Sequence, residues 1–379
     1  MVSPKWKTAA NTKFIKLFNI NLKLLLKYGW NDYFEALFSE YASDGYLPAR
    51  VSIEHRNYYG LYSSAGELKA EKSGKLFYNS ESTDDLPAVG DWVVIKHVAK
   101  EKKAIIHAVL PRKSKFSRKK AGVVTEEQIV AANIDTVFIM SSLNMDFNLR
   151  RIERYLTLAW DCNIKPVIIL SKADLCDNMY AKLVEVEKNF IGTNAHVISA
   201  IKEAGIDDLF SYFEGNNTIA VIGSSGVGKS TLINILLNRK KMKVSDIGVY
   251  KDKGKHITTH RELALVPGGG LIIDTPGMRE IQLWEGSEGL SELFDDIEQL
   301  TLECKFSDCK HESEPGCAIK AAIKRGEITG ERFKSYKKLL NEVSYFERKQ
   351  NVKAQLVEKK KWKKISTEAK KISKHKYGE

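Results

Sequence analysis

The feature that most constrains the fold is a glycine-rich segment in the middle of the chain, Val221–Thr231, which reads VIGSSGVGKST. It contains the complete pattern G-x-x-x-x-G-K-S, from Gly223 to Ser230. An apolar run, Thr218–Ile222, precedes the pattern, and an apolar-periodic stretch, Thr231–Leu237, follows it. These flanks predict a strand, a phosphate-binding loop and a helix in succession, which is the context that the pattern requires.

Each part of this loop has a chemical task in the prediction. The glycines let successive backbone N–H groups face a phosphate, and the following helix adds the positive end of its dipole. Lys229 is expected to reach the β- and γ-phosphates and Ser230 to ligate Mg²⁺. The alternative is a chance glycine-rich turn before a helix. The residues expected to hold the nucleotide here are Gly223, Ser224, Ser225, Gly226, Val227, Gly228, Lys229, Ser230 and Thr231.

Length and composition limit what surrounds the loop. With 379 residues, 43% of them hydrophobic, the chain suggests two or three globular domains. The formal net charge of +12 favours a polyanionic partner without identifying one. Apolar runs fall short of membrane-spanning length, so we expect no membrane partner. The stretch Met1–Lys27 lacks the marks of a secretory signal; it predicts either an amphipathic helix or, as we favour, an irregular terminus.

Short alternating segments dominate the region from 46 to 120. Turns separate five predicted strands: Ala49–His55, Tyr58–Tyr62, Leu68–Leu76, Asp91–Val98 and Ala104–Leu110. This spacing predicts a small OB-like β-barrel, preceded over Tyr28–Tyr41 by a docking helix. Barrels of this kind often bind oligonucleotides. The basic run that follows, Pro111–Lys120, fits a nucleic-acid contact and a solvated linker equally well.

A different rhythm begins at Asn133, where strands alternate with helices. The predicted strands are Thr136–Ser141, Pro166–Leu170, His196–Ile198, Leu263–Val266 and Leu271–Ile273, and the predicted helices are Leu149–Cys162 and Asn178–Phe190. Such alternation predicts a largely parallel sheet with helices on both faces. Ligands of these sheets bind at the carboxyl ends of the strands. The phosphate loop falls at such an end.

A second phosphate-facing motif, Asp274-Thr275-Pro276-Gly277, follows the last of these strands. We expect the Asp274 carboxylate to hold Mg²⁺, directly or through water, and the Gly277 N–H to meet a γ-phosphate oxygen. The polar stretch Gly254–Arg261 predicts a switch in which Thr258 or Thr259 adds its hydroxyl to Mg²⁺. The alternative is that both threonines are ordinary loop residues.

Two motifs that would read a base lie upstream of the phosphate loop. Ser171-Lys172-Ala173-Asp174 resembles the guanine-reading pattern NKxD, with serine in place of asparagine. A carboxylate at Asp174 would accept from N1–H and the 2-amino group of guanine, a donor pair that adenine lacks. Ser199-Ala200 resembles the short element whose backbone N–H contacts guanine O6. The alternative for the first motif is an ordinary strand-to-helix turn.

The order base, base, phosphate, switch, DxxG, after a β-barrel, resembles the RsgA (YjeQ) family of circularly permuted GTPases. The resemblance extends from about Ala49 to the 340s and includes Pro87–Val93 and Asn148–Tyr155. It implies GTP hydrolysis stimulated by the small (30S) ribosomal subunit, late maturation of that subunit and contact with its 16S rRNA. One departure is Ile257, where the family more often has threonine.

A cluster of cysteines lies beyond the nucleotide motifs. Cys304, Cys309, His311 and Cys317 place three thiolates and an imidazole within fourteen residues. Four N/S ligands with no spare position match a closed, structural zinc site. The alternative is a scatter of reduced cysteines. The family carries this cluster, and we interpret Cys162 and Cys176 as separate thiols.

These motifs predict five parts. We expect an N-terminal extension and helix over 1–45, the OB-like β-barrel over 46–120 and a circularly permuted α/β P-loop GTPase domain over 121–290. A zinc-binding α-helical domain over 291–350, with helices Ala318–Lys324 and Thr329–Glu347, and a basic tail over 351–379 complete the chain. From Lys353 to Lys376 lysine dominates, which predicts contact with RNA phosphates or a solvated helix. We expect a cytoplasmic monomer that uses GTP, Mg²⁺ and one structural Zn²⁺.

The catalytic assignment is incomplete. Many GTPases place a glutamine after DxxG to orient the attacking water, but Met278 occupies that position. Lys229 and Asp274 supply charge, and His256 in the switch is the nearest candidate for the missing group. Its alternative role is to pack the loop on RNA. A rival function is an RNA-binding assembly scaffold with a non-catalytic nucleotide site; an ATP-dependent kinase conflicts with Asp174.

Overall fold

The computed structural model describes residues 21–80, 83–98, 101–119, 127–237, 261–274 and 288–344. These residues belong to two compact units. One is drawn from Met1–Arg118 and Glu127–Ile281, and the other from Lys119–Glu126 and Gln282–Glu379. Among the described helices, none combines the length and apolarity that crossing a bilayer demands.

Two short helices open the first unit. Helix α1 spans Leu22–Lys27 and helix α2 spans Asp32–Phe38, followed by a 3-10 segment over Ser39–Asp44. Leu25 and Phe38 are fully buried in an aromatic cluster around Trp92 of the barrel. The irregular terminus that we favoured is therefore wrong for Leu22–Lys27, because apolar burial stabilises that helix. The docking helix begins later and ends earlier than Tyr28–Tyr41.

Five strands form the predicted barrel. They are β1 (Leu47–Glu54), β2 (Tyr59–Ser63), β3 (Gly66–Lys72), β4 (Trp92–His97) and β5 (Lys103–Val109). They pair in the order β1-β2-β3-β5-β4, and β1–β4 pairing closes the barrel. The third predicted strand, Leu68–Leu76, is wrong beyond Lys72. Ser73 instead accepts from the Leu76 N–H and caps helix α3, Gly74–Asn79.

The basic run after the barrel is built into the fold at Arg112. Its guanidinium donates to both carboxylate oxygens of the fully buried Asp91, at 2.8 and 2.6 Å. It also donates to the backbone carbonyls of Asp84 and Leu86. The solvated-linker alternative is therefore wrong at this residue. The run continues as strand β6 (Lys115–Lys119), which pairs with β7 (Glu127–Ala132).

The α/β region forms the predicted sheet. Its strands are β8 (Thr136–Ser142), β9 (Lys165–Ser171), β10 (Ala195–Val197), β11 (Thr218–Gly223), β12 (Glu262–Leu265) and β13 (Leu271–Asp274). Its helices are α4 (Leu149–Asp161), α5 (Met179–Asn189) and α6 (Lys229–Leu236). The strand order is β10-β9-β8-β11-β13-β12, and only β12 pairs antiparallel within it. The carboxyl ends of β9, β10, β11 and β13 therefore meet at one edge.

The barrel and this sheet share a strand, which the sequence did not reveal. The first half of β1 pairs with β4, and after a register shift between Val51 and Ile53 the same strand pairs with β12. Ile53 lies opposite Glu262, and the Tyr62 hydroxyl donates to the Leu263 carbonyl. Eleven strands thus form one continuous sheet.

Between residues 288 and 344 the second unit consists mainly of helices, with an irregular loop over 303–317. It contains α7 (Glu288–Leu293), α8 (Asp295–Leu302), α9 (Ala318–Arg325) and a helix over 330–344. Phe294 and Tyr336 pack ring against ring at 5.4 Å, and Arg332 pairs with Asp296. These contacts hold the last helix against α8.

Candidate functional site

The phosphate loop has the predicted strand–loop–helix context. It leaves the buried strand β11 and ends at Gly228, which has a φ of +106° and immediately precedes helix α6. Gly223, at φ +150°, lies so close to the neighbouring strand that an added Cβ would be 2.5 Å from the Met140 carbonyl oxygen. Only glycine fits there without moving the backbone. The loop is therefore fixed between β8 and the helix N-terminus.

The lysine of the loop lies across the loop's own backbone. Lys229 Nζ donates to the carbonyl oxygens of Gly223, at 2.8 Å, and Ser224, at 2.6 Å. Ser225, Gly226, Ser230 and Thr231 are exposed, whereas Val227 is buried beneath the loop. The ammonium group and the exposed hydroxyl of Ser230 thus lie at the start of α6, where its dipole favours an anion.

The two base-reading segments meet at one hydrogen bond. The Ser199 hydroxyl donates to Asp174 Oδ1 at 2.5 Å, which lowers the pKa of that carboxyl below its ordinary value. Lys172 adopts a left-handed φ of +60°, and the Ala173 N–H donates to the Ile198 carbonyl. The structure therefore places the ends of β9 and β10 side by side, with an ionised carboxylate between them.

The serine that departs from NKxD has a partner in the phosphate loop. Ser171 is 2% exposed, and its hydroxyl donates to the Val227 carbonyl oxygen at 2.7 Å. A second, longer contact reaches the Ser141 carbonyl at 3.5 Å. The hydroxyl thus joins the base-reading segment to the phosphate loop.

A largely apolar cavity of about 340 Å³ adjoins Asp174. It lies between α5 and the segment that follows β10, and the Ser199–Ala204 bridge closes that segment. Met179, Tyr180 and Leu183 form one side, and Ser199 and Lys202 form another. Ala200, which follows Ser199 in the chain, is half-buried. Such a space with one convergent carboxylate has the character of a small-molecule pocket.

The remaining nucleotide motif is described only in part. Asp274 ends strand β13, half-buried, beside the strand that leads into the phosphate loop. His256, Thr258, Thr259 and Gly277 lie outside the described residues, as does Met278. Their assigned roles remain predictions.

One residue near the loop was missed by sequence reasoning. Asp146, in the loop after β8, accepts from the Ser224 hydroxyl and from Arg151, each at 2.8 Å. A sequence signal existed, because an acidic residue at the carboxyl end of a parallel strand lies at the ligand edge of the sheet. The motifs that we identified in the sequence do not include it.

The four predicted zinc ligands come together in the second unit. The sulfur atoms of Cys304, Cys309 and Cys317 and a nitrogen of His311 all lie within 4.8 Å of one another. His311 Nδ1 is 3.5 Å from two of the sulfurs, about the separation that tetrahedral Zn–S and Zn–N bonds require. Burial and the neighbouring thiols raise the pKa of Cys309 to about 11. Thiols this close ionise together only around a cation, so the donor set fits zinc.

A carboxylate organises the loop that carries these ligands. Glu314 accepts from the backbone N–H groups of Lys310, Glu312 and Ser313, at 2.8–3.0 Å. Backbone N–H groups, its own included, hold the pKa of Glu314 at about 2. His311 adopts a left-handed φ of +58° within this loop. The fold of the loop thus turns the imidazole toward the cysteines.

Comparison with known proteins agrees with this geometry. A family model described as RsgA GTPase matches residues 109–284, and one described as 50S ribosome-binding GTPase matches 218–374. A protein named small ribosomal subunit biogenesis GTPase RsgA, from Opitutus terrae, is 42% identical over 89% of this chain and 94% of its own. The chain belongs to the RsgA GTPase family. A second RsgA, from Oceanobacillus iheyensis, is 45% identical over 86% of this chain and 93% of its own.

Solved structures extend the RsgA likeness to the fold. YjeQ from Thermotoga maritima matches with a TM-score of 0.58 at 27% identity, over 79% of this chain and 98% of that one. YloQ, described as a circularly permuted GTPase, matches with a TM-score of 0.57 at 22% identity, over 79% of this chain and 95% of that one. The predicted fold class, a barrel followed by a permuted GTPase domain and a Cys/His cluster, is confirmed.

Proposed function

We propose that this protein hydrolyses GTP during late maturation of the small ribosomal subunit, in the cytoplasm, as a monomer that contacts 16S rRNA. The carrying observation is the placement of Asp174, held by Ser199, at the same sheet edge as a complete phosphate loop. Relatives that match most of the chain bear the name small ribosomal subunit biogenesis GTPase. The names of the relatives therefore support the role in subunit maturation, and the geometry of the site supports binding and hydrolysis of GTP.

Base selectivity follows from the charge at Asp174. An ionised carboxylate accepts two hydrogen bonds from the N1–H and 2-amino groups of guanine. Adenine would leave that charge unpaired, which costs affinity. The aliphatic part of Lys172 would cover the base, and backbone N–H groups near Ala200 would meet O6.

We assign binding of the nucleotide phosphates to the phosphate loop and the first turn of α6. Backbone N–H groups from Gly223 to Ser230, with Thr231 in the first helical turn, would surround them. The Lys229 ammonium would exchange its two backbone carbonyls for phosphate oxygens. Ser230 and Asp274 would hold Mg²⁺, with Thr258 or Thr259 adding a hydroxyl. Bound Mg²⁺ would neutralise charge on the β- and γ-phosphates.

Water activation is assigned to His256 in the switch. Since Met278 offers no hydrogen-bond donor, the isolated protein should turn over GTP slowly. Binding of ribosomal RNA would shift the switch toward the conformation in which His256 orients the water. Gly277 would donate to the γ-phosphate in that same conformation. Loss of stimulation with retained subunit binding in His256→Ala tests this assignment.

Zinc is proposed for the four-residue cluster of the second unit. Cys304, Cys309, His311 and Cys317 supply the ligands, and a closed set of this kind has a structural role. The five-part division of the chain also stays a proposal, with the lysine-rich tail as a further RNA contact.

The proposed function predicts binding to the small ribosomal subunit and not to the large one. One family model names the 50S subunit, whereas the near-full-length relatives name the small subunit. The test is co-sedimentation with purified small and large subunits in the presence of a non-hydrolysable GTP analogue. We expect the protein to pellet with small subunits only, and less of it to pellet as salt rises. Pelleting with large subunits only would refute the proposal; turnover without nucleotide-dependent binding would refute the coupling.

A further inference from the structure

The loop after β8 brings to the phosphate loop a carboxylate that lies outside the motifs of the sequence analysis. Asp146 Oδ2 accepts from Ser224 Oγ at 2.8 Å and from Arg151 Nη1 at 2.8 Å. Ser224 is the second residue of the phosphate loop, and Arg151 lies in the first turn of α4. Asp146 therefore joins two elements that leave the same edge of the sheet.

Lys172, in the segment that follows β9, contributes positive charge near Asp146. Arg151 and Ser224, and more weakly the charge of Lys172, lower the pKa of Asp146, so the carboxylate is ionised at neutral pH. The side chains of Asp146 and Arg151 are 44% and 34% exposed. Their contacts thus fix polar groups at the rim of the site and are not part of core packing.

The charge balance has a consequence for a polyphosphate ligand. A lone carboxylate beside the phosphate loop would repel the phosphates, because like charges at short range disfavour each other. Arg151 offsets that charge by donating to Oδ2, the same oxygen that accepts from Ser224. Asp146 can then fix the loop without weakening anion binding.

We propose that Asp146 is a positioning residue of the nucleotide site, which holds Ser224 and the phosphate loop in the conformation that receives the polyphosphate. Arg151 is its neutralising partner. The inference rests on the proposed binding of guanine nucleotide to this loop. It adds that the loop is held from outside by α4, through a contact with neither base nor phosphate.

The test is a double-mutant cycle on nucleotide release. A fluorescent N-methylanthraniloyl GDP is displaced by excess GDP from the full chain and from Asp146→Ala, Ser224→Ala and the double variant. We expect each single variant to release the analogue about two- to tenfold faster, as loss of one partly solvent-exposed hydrogen bond implies. The double variant should be no faster than the faster single one, because both remove the same bond.

Two further variants and a control distinguish positioning of the phosphate loop by Asp146 from a general effect of its negative charge on nucleotide binding. Arg151→Gln should speed release by exposing the carboxylate, and rising salt should reduce that excess. Asp146→Asn, whose amide oxygen can still accept from Ser224, should release more slowly than Asp146→Ala. Asp208→Ala, which removes an exposed carboxylate of the 3-10 segment Asp207–Asn216, should match the parent.

The outcomes divide cleanly. Parent-like release from both single variants, or effects that add in the double variant, would overturn the proposal. Nucleotide-free melting temperatures are measured in parallel, and if Asp146→Ala does not fold, Ser224→Ala and Asp146→Asn carry the comparison. A parent protein that binds no guanine nucleotide would instead refute the proposed function.

Discussion

Ser199 holds Asp174 by a hydrogen bond of 2.5 Å between the serine hydroxyl and the carboxylate. The two residues come from segments that end different strands, β9 and β10. Before any ligand is bound, the bond therefore aligns the two segments that are proposed to read the base. It also keeps the carboxylate ionised, which is the state that guanine recognition needs.

Exchanging Asp174 for asparagine should reverse base preference. An amide donates to the 2-oxo group of xanthine, while it serves the 2-amino group of guanine poorly. We expect GTP affinity to fall at least tenfold and xanthosine triphosphate affinity to rise. Competition binding of both nucleotides measures this, with Asp177→Asn as a control. Unchanged GTP affinity would show that Asp174 does not read the base.

Removing the Ser171 hydroxyl should loosen the phosphate loop. Ser171→Ala leaves the Val227 carbonyl without its 2.7 Å partner in a buried place. We expect a loss of about 1–2 kcal/mol in unfolding free energy and weaker binding of nucleotide. Urea denaturation and nucleotide titration measure the two effects. Ser211→Ala, whose hydroxyl donates to the Asp208 carbonyl within its own turn, is the control. Equal behaviour of the two variants would contradict the assigned link.

Zinc removal should unfold the region around Cys304–Cys317. The proposed zinc would join four side chains of one loop, so metal binding would be part of the folding of that loop. Elemental analysis should find about one zinc per chain, and Cys309→Ser should lose it while Cys176→Ser retains it. A chelated sample with an unchanged melting curve would rule out the structural role.

Arg50 should be the most sensitive charged residue of the barrel. Its fully buried guanidinium donates to the carbonyls of Tyr28, Gly90 and Asn133. Burial lowers its pKa only to about 10, so it stays charged at neutral pH. Arg50→Met removes the guanidinium donor of the Tyr28 and Asn133 carbonyls, whereas the Gly90 carbonyl still accepts from the Asn133 amide. The variant should cost about 2–4 kcal/mol in chemical denaturation. Arg56→Met, at an exposed turn, should cost little; equal losses would contradict this role.

Local sequence patterns predicted most of the fold. Strand positions followed from apolar runs, and the phosphate loop from its glycines, because these signals are local in the chain. The four candidate metal ligands were likewise predicted from the spacing of the three cysteines and the histidine. Errors arose where a cap overrode propensity, as Ser73 does after β3, or where tertiary burial decided the outcome, as for Leu25.

Contacts distant in sequence could not be predicted. Pairing of Ile53 with Glu262 joins a barrel strand to a strand of the α/β region, and no local pattern encodes it. The Asp146–Ser224 contact likewise depends on how two loops leave neighbouring strands. The sequence placed Arg112 in a basic run, whereas in the structure its guanidinium donates to the buried Asp91 carboxylate. Such polar pairs are set by topology and not by composition.

Steady-state GTP hydrolysis with and without purified small subunits tests the central claim most directly. We predict slow turnover by the protein alone and a stimulation of at least tenfold by small subunits, but not by large ones. Lys229→Ala, which lacks the ammonium proposed to contact the phosphates, should show no turnover in either condition. Absence of hydrolysis by the parent protein on the subunit would contradict the account and favour a scaffold with a non-catalytic nucleotide site.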